Sequence, residues 1–197
     1  MPKRFSSPLA RQQGFTLIEL AIVLSIVGVI IGGTWYYAAQ TLNDIKKNKI
    51  IDQTLQIIQN TKRTFANVNT APVSSTATNL TASAITAGIF PSDMIVNTTQ
   101  AADPYGQPVV LSTSSAQISS FHLQYNVRTD VCIALLTKLI ANTTTRNRYG
   151  IIGYNANGTF TPVSYNSVVP ISTLASSCSS ANGSNTLVTT AVDFSYK

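Results

Sequence analysis

One histidine, His122, one glutamate, Glu19, and six scattered aspartates make up the side chains that could move protons near neutral pH. His122 sits in the strand-like run SFHLQYNV with no nucleophile or carboxylate beside it in sequence, and reads as a surface or hydrogen-bonded structural histidine. Cys132 and Cys178 stand 46 positions apart, so no CxxC spacing for zinc or redox work exists. No GxGxxG, GxxxxGK[ST] or HExxH pattern occurs. The expectation is therefore no catalytic residue, no metal and no cofactor. Glu19 stands apart because it is the one charge in the 25 residues from Phe15 to Ala39, FTLIELAIVLSIVGVIIGGTWYYAA. A carboxylate in an apolar bundle is costly unless it meets a cation, so an ionisable group placed there is a functional candidate.

The element that positions Glu19 is a long helix. At 1.5 Å per residue, 25 residues span about 37 Å, enough to cross a hydrocarbon layer of about 30 Å. Lys3, Arg4 and Arg11 precede the run and would hold the N-terminus in the cytoplasm. Two plain readings compete. One is a secretory signal peptide ending at Ala38-Ala39, which Tyr36 and Tyr37 fit poorly. The other is an ordinary membrane anchor in which Glu19 reaches for water.

The octad Gln13-Gly14-Phe15-Thr16-Leu17-Ile18-Glu19-Leu20, followed directly by the apolar run and preceded by a short basic leader, resembles the motif of type IV prepilins. Pilins and type II secretion pseudopilins share it. The resemblance implies that a prepilin peptidase cuts after Gly14 on the cytoplasmic face and methylates Phe15, the new first residue. It implies for Glu19 the family's glutamate at the fifth mature position. The freed amine of Phe15 supplies the cation that a buried Glu19 needs, so Glu19 would pair with a neighbour's N-terminus and set axial register in a filament. A solvated carboxylate at the membrane interface is the plainer alternative.

The helix is expected to run on beyond the membrane, since no proline occurs between Phe15 and Ala71 and no glycine between Thr34 and Ala87. Leu42, Ile45, Ile51, Leu55, Ile58 and Phe65 form an apolar stripe at helical steps. Gly28, Gly32 and Gly33 lower helix propensity, for local unwinding or for close helix packing. Residues 67–86 are rich in Ser, Thr, Asn and Ala and read as a loop. The block GIFPSDMIVN at 88–97, with Asp103-Pro104-Tyr105-Gly106, resembles type IVb pilins, whereas a first residue of Phe is more usual of type IVa pilins and pseudopilins. Strands are expected at Pro108–Thr113, Ile118–Val127, Tyr149–Tyr154, Thr159–Tyr165 and Leu187–Tyr196, with Asn157-Gly158 as a hairpin turn. Asp130–Ala141 reads as a short helix capped by Thr129 or Asp130, with Cys132 in its first turn.

The fold class follows as α+β and type IV pilin-like: a long N-terminal α-helix, partly transmembrane, packed on an antiparallel β-sheet domain with a C-terminal disulfide. The expected division is 1–14 leader, 15–39 membrane or filament-core half of the helix, 40–66 amphipathic half, and 67–197 globular head. In the family a disulfide closes a C-terminal D-region, and Cys132 with Cys178 matches that pattern over 132–178. From the residues alone, the two cysteines form either a disulfide of an extracytoplasmic domain or a pair of buried free thiols.

Ser, Thr and Asn together make 61 of 197 residues, while charged residues are only 10%. That composition argues against a charged disordered tail or a coiled coil. The net charge of +6 would fall to +3 without residues 1–14, so nucleic acid is not expected as the main partner. Lys46-Lys47-Lys49, Lys62-Arg63 and Arg146-Arg148 are the clusters that could hold phosphates, and no aromatic interleaving supports them. The expected product is the major structural subunit of a type IVb-like pilus, a surface filament for adhesion, aggregation or conjugative contact, inserted in the inner membrane as precursor with its head outside. Its partners would be copies of itself, the prepilin peptidase, the assembly machinery, and a host-cell or recipient-cell surface. A minor pilin, a secretion pseudopilin and a DNA-uptake pilin are the alternatives.

Overall fold

The computed structural model of the chain describes residues 16–66, 78–113, 120–179 and 187–195. Helix α1 runs over Leu17–Phe65, a single uninterrupted helix of 49 residues. Its residues up to Asn43 belong to one compact unit, and those from Asp44 onward belong with the head to a second. In the first unit the large apolar side chains are exposed, from Val27 at 42% to Leu17 at 88%.

In the second unit the order of elements is α2 (Thr81–Thr86), β1 (Ile95–Asn97), β2 (Gln100–Ala102), β3 (Pro108–Thr113), β4 (Ser120–Arg128), α3 (Thr129–Leu136), α4 (Thr143–Tyr149), β5 (Ile151–Ala156), β6 (Thr159–Pro162), α5 (Ile171–Cys178) and β7 (Leu187–Ser195). A π-helical turn at Thr137–Ala141 carries α3 onward. All strand pairings are antiparallel, in the order β1-β2-β3-β4-β7-β5-β6. The long strands β4 and β7 register residue for residue from Ser120–Ser195 to Arg128–Leu187. One face of β4 turns Phe121, Leu123, Tyr125 and Val127 into the core, as the period-2 alternation of β-formers requires. Those residues share one buried cluster with Ile50, Ile57 and Ile58 of α1.

The buried stripe of α1 is shifted from the expected one. Leu42 and Ile45 remain exposed, and burial begins at Ile50 and continues through Ile51, Gln53, Thr54, Ile57, Ile58 and Thr61. Three of these are polar, and a pure hydrophobic count cannot find them. Each threonine hydroxyl turns back to a carbonyl of its own helix, Thr54 to Ile50 at 2.7 Å and Thr61 to Ile57 at 2.7 Å, which makes its burial tolerable.

The segment 67–86 also differs from a plain loop. Residues 67–77 lie outside the described residues, but α2 occupies Thr81–Thr86, and Asn79 bridges Ser112 beside β3. The expected cap of α3 is corrected as well, since Arg128 is the N-cap residue and makes no side-chain capping bond. The β5–β6 hairpin has the expected two-residue turn, with Asn157 at φ 54° and Gly158 at φ 83°. Both angles positive is the mirror-image turn that matches the twist of the flanking strands.

Candidate functional site

Of the residues proposed for processing, Gly14 and Phe15 lie outside the described residues. Glu19 lies in the first turn of α1. The Thr16 backbone N–H donates to Glu19 Oε2 at 3.3 Å and the Thr16 hydroxyl to the same oxygen at 3.2 Å. The Glu19 N–H in turn donates to Thr16 Oγ1 at 3.4 Å. This is a reciprocal capping box, which satisfies N–H groups that an α-helix start leaves unpaired. Threonine followed three residues later by glutamate, just before an apolar run, is a legible signal for it, and the family motif had absorbed that signal. Beyond the box, α1 is long and apolar enough to cross a membrane.

In the head, Cys132 of α3 and Cys178 of α5 are joined by a disulfide with their Cα atoms 5.9 Å apart. Both are fully buried, and Thr190 of β7 donates its hydroxyl to Cys132 Sγ at 2.8 Å. The bond encloses the two-residue hairpin and a long irregular connection between β6 and α5. Arg146 fastens that connection. The side chain is completely buried, and its guanidinium donates to the carbonyls of Ile140 (2.9 Å), Ser164 (3.0 Å), Tyr165 (2.9 Å) and Ser167 (2.6 Å). A planar fork with five N–H donors can satisfy several carbonyls converging from two segments; an ammonium cannot cover that spread. Arg146 is thereby corrected as a candidate phosphate ligand, because the side chain is fully buried and its two terminal nitrogens donate to carbonyls inside the fold.

The other basic clusters are also engaged by the head. Lys47 Nζ lies 3.0 Å from Asp130 and 3.6 Å from Asp44, and the Asp130 contact raises the lysine above its ordinary range. Lys49 pairs with Asp93 at 2.7 Å, and Lys46 sits 5.1 Å from the centre of the Tyr105 ring. Lys62 is pushed down by burial, its ammonium occupying the space beside Gly150. Gly150 ends α4 at φ 64°, a left-handed position where any Cβ would also meet Lys62 Nζ at 2.6 Å.

His122 has a carboxylate neighbour after all. Register places it opposite Asp193, and His122 Nδ1 lies 3.1 Å from Asp193 Oδ1. Asp193 is fully buried, so the histidine supplies hydrogen bonding to a carboxylate that water does not reach. The pair is 71 residues apart in sequence, which is why local reading shows no partner.

Two family models match the chain. The prokaryotic N-terminal methylation motif covers residues 9–35, and the model described as PilS N terminal covers residues 45–192. The second alone takes in most of the chain. The chain belongs to the PilS family of type IV prepilin-like proteins. Neither the curated proteins nor the solved structures hold a significant match to it. In this prepilin-like chain the methylation-motif match takes in Gly14, Phe15 and Glu19 together with the capping box, while the PilS match takes in the disulfide, the Arg146 network, strands β1 to β6 and β7 as far as Val192.

Proposed function

We propose that this prepilin is the major subunit of a type IVb-like surface filament. A prepilin peptidase cleaves it after Gly14 and methylates Phe15, and the assembly machinery moves the mature chain from the inner membrane into the filament. The exposed apolar surface of α1 carries the reading: Leu17, Ile18, Leu20, Val29 and Trp35 all stand more than half exposed in a chain whose residues 9–35 match the methylation motif. Such a surface has two stable surroundings, a bilayer before assembly and a bundle of identical helices after it. Removing apolar surface from water contributes roughly 25 cal/mol per Å², and each subunit repeats the gain.

Glu19 supplies register. Both Thr16 donors converge on Oε2, and Oε1 is the oxygen that would meet the amine of a neighbouring Phe15. A head outside the cytoplasm agrees with a disulfide, which persists in oxidising compartments. The filament's outer surface would then meet a host or recipient cell.

Shearing filaments from cells that make the full chain tests this. Mass spectrometry should find a mature chain beginning at methylated Phe15, and this chain should be the most abundant filament protein. A mature chain beginning near Gln40 would establish an ordinary signal peptide. A correctly processed chain present only in trace amounts would make it a minor subunit.

A further inference from the structure

Along α1 no charged side chain occurs between Glu19 and Asp44. That uncharged stretch is about 36 Å long at ~1.5 Å per residue, more than a hydrocarbon layer of about 30 Å needs, so charge alone does not say where a bilayer would end. The polar side chains within it are more telling. From Leu20 to Thr34 there are two, and each hydroxyl donates to a carbonyl of its own helix, Ser25 to Ala21 at 2.8 Å and Thr34 to Ile31 at 2.8 Å. Both are thus satisfied without water, as an apolar surrounding requires. After Tyr37 come Gln40, Thr41 and Asn43.

At the change from one kind to the other stand Trp35, Tyr36 and Tyr37, exposed by 74%, 66% and 74%. Successive helical residues turn by about 100°, so the three rings spread over about 200° of the circumference and no rotation of α1 hides them all. Each ring is an apolar body with one N–H or O–H, the shape that settles where acyl chains meet lipid carbonyls and headgroups. Leu17, where α1 begins, lies about 27 Å from Trp35 along the axis, close to the thickness of the hydrocarbon layer.

We propose that Trp35, Tyr36 and Tyr37 anchor the precursor at the outer interface of a phospholipid bilayer, and that this anchor fixes the depth at which the Gly14–Phe15 bond meets the prepilin peptidase. The inference rests on the processing reading above and names the residues that position the substrate for it. Helix α1 is uninterrupted from Leu17, two residues past Phe15, so it acts as a rod between the rings and the bond. With the rings held at the outer interface, the first turn arrives at the inner one. A rod that slid by one turn would carry the bond about 5 Å out of place. Glu19 then lies at the inner edge of the apolar layer, where its bonds from Thr16 lessen the cost of burying a carboxylate. Sliding is resisted because each ring, once moved, loses either its apolar contact or its hydrogen bonds.

The chain has a single tryptophan, so its fluorescence reports Trp35 alone. The full precursor is placed in phosphatidylcholine vesicles carrying bromine either beside the ester carbonyls or near the acyl-chain ends, and cleavage by prepilin peptidase is timed in bromine-free vesicles. Bromine beside the carbonyls should quench Trp35 more strongly. Strongest quenching from the chain ends, or none from either, overturns the anchor. For the positioning role, Trp35→Leu, Tyr36→Leu and Tyr37→Leu are combined, which keeps the run apolar and helical but removes the interfacial groups. Cleavage after Gly14 should slow severalfold, whereas Tyr36→Trp with Tyr37→Trp, which keeps an aromatic anchor, should be cut at the parental rate. Parental cleavage of the triple leucine variant overturns the positioning role, and so does slow cleavage of the tryptophan pair. An unaltered chain that is never cut after Gly14 removes the processing reading and the positioning role with it, while the quenching of Trp35 still decides the anchor.

Discussion

The hydroxyl oxygens of Thr54 on α1 and Tyr125 on β4 lie 2.8 Å apart in the core, joining residues 71 positions apart. Thr54 also lies 2.7 Å from the carbonyl of Ile50. With one proton on each hydroxyl, both contacts are made when Tyr125 donates to Thr54 and Thr54 donates to Ile50. Burial pushes the Tyr125 phenol above its ordinary range, which keeps that proton in place. Thr54→Val should cost about 1–3 kcal/mol, since it leaves a buried phenol unpaired, and Tyr125→Phe about 1 kcal/mol. In urea unfolding the double variant should lose less than the two losses added. Strict additivity would mean that the two hydroxyls do not share a bond.

Arg146 should tolerate no conservative exchange. Arg146→Lys keeps the charge but cannot reach the carbonyls of Ile140, Ser164, Tyr165 and Ser167 together. A loss of about 3 kcal/mol or more is expected, from a buried charge with incomplete partners. Limited proteolysis should cut first within 163–170. A lysine variant with parental stability would show that water or a shifted backbone replaces the guanidinium.

Reduction of the Cys132–Cys178 bond, or Cys132→Ser, should destabilise the head by ~2–5 kcal/mol, because a loop of 45 intervening residues regains freedom when unfolded. Thermal unfolding with and without reductant measures it. Equal Tm values would deny the bond a stabilising role.

Asp103 gives the pH dependence its sign. Burial pushes its carboxyl up, against the backbone N–H groups of Gln107 and Tyr105 that pull it down. The folded pKa therefore exceeds the unfolded one, and the charged form opposes folding at neutral pH. As pH falls through the raised value the folded state takes up a proton first, so this penalty lifts. Measured against Asp103→Asn, the parent should gain stability as the solution is acidified into the carboxylate range. A parent that loses ground to the variant over that interval would reverse the assignment.

Glu19→Ala should leave insertion, cleavage after Gly14 and the head fold intact while filaments become few or absent. Thr16→Val, which loses the capping hydroxyl, should weaken the first helical turn by about 1 kcal/mol and lower filament yield less. Wild-type amounts of filament from Glu19→Ala subunits would sink the register role.

The extended runs were readable because β-branched and aromatic residues alternate between turn residues: β3 occupies Pro108–Thr113 as expected, and Asn157-Gly158 makes the turn its residue types demand. Short helices were harder. The α4 helix carries both end signals, with Asn142 Oδ1 accepting from Thr145 N–H at 3.1 Å and Gly150 in the left-handed position, yet TTTRNRY has little intrinsic helix preference to draw attention. The Arg146 network was illegible for a different reason. Its acceptors are backbone carbonyls, which every residue possesses, so no residue type at 164, 165 or 167 announces the contact. His122 with Asp193 and Thr54 with Tyr125 likewise depend on register across 71 positions.

The Asn157 amide has a consequence for chemical ageing. Asn157 Nδ2 donates to the carbonyls of Ser177 and Ser179 at 3.2 and 3.3 Å, tying the hairpin tip to the residues around Cys178. Asparagine followed by glycine is the pairing most open to spontaneous deamidation, through attack of the glycine nitrogen on the side-chain carbonyl. Two acceptors hold this amide away from the rotation that the attack needs. Were it hydrolysed, the new carboxylate would face two carbonyl oxygens with no proton to offer, and the tip would be pushed off. A head exposed for long periods without repair thus keeps one of the chain's two Asn-Gly pairs under restraint, and detached hairpin tips would mark the oldest copies.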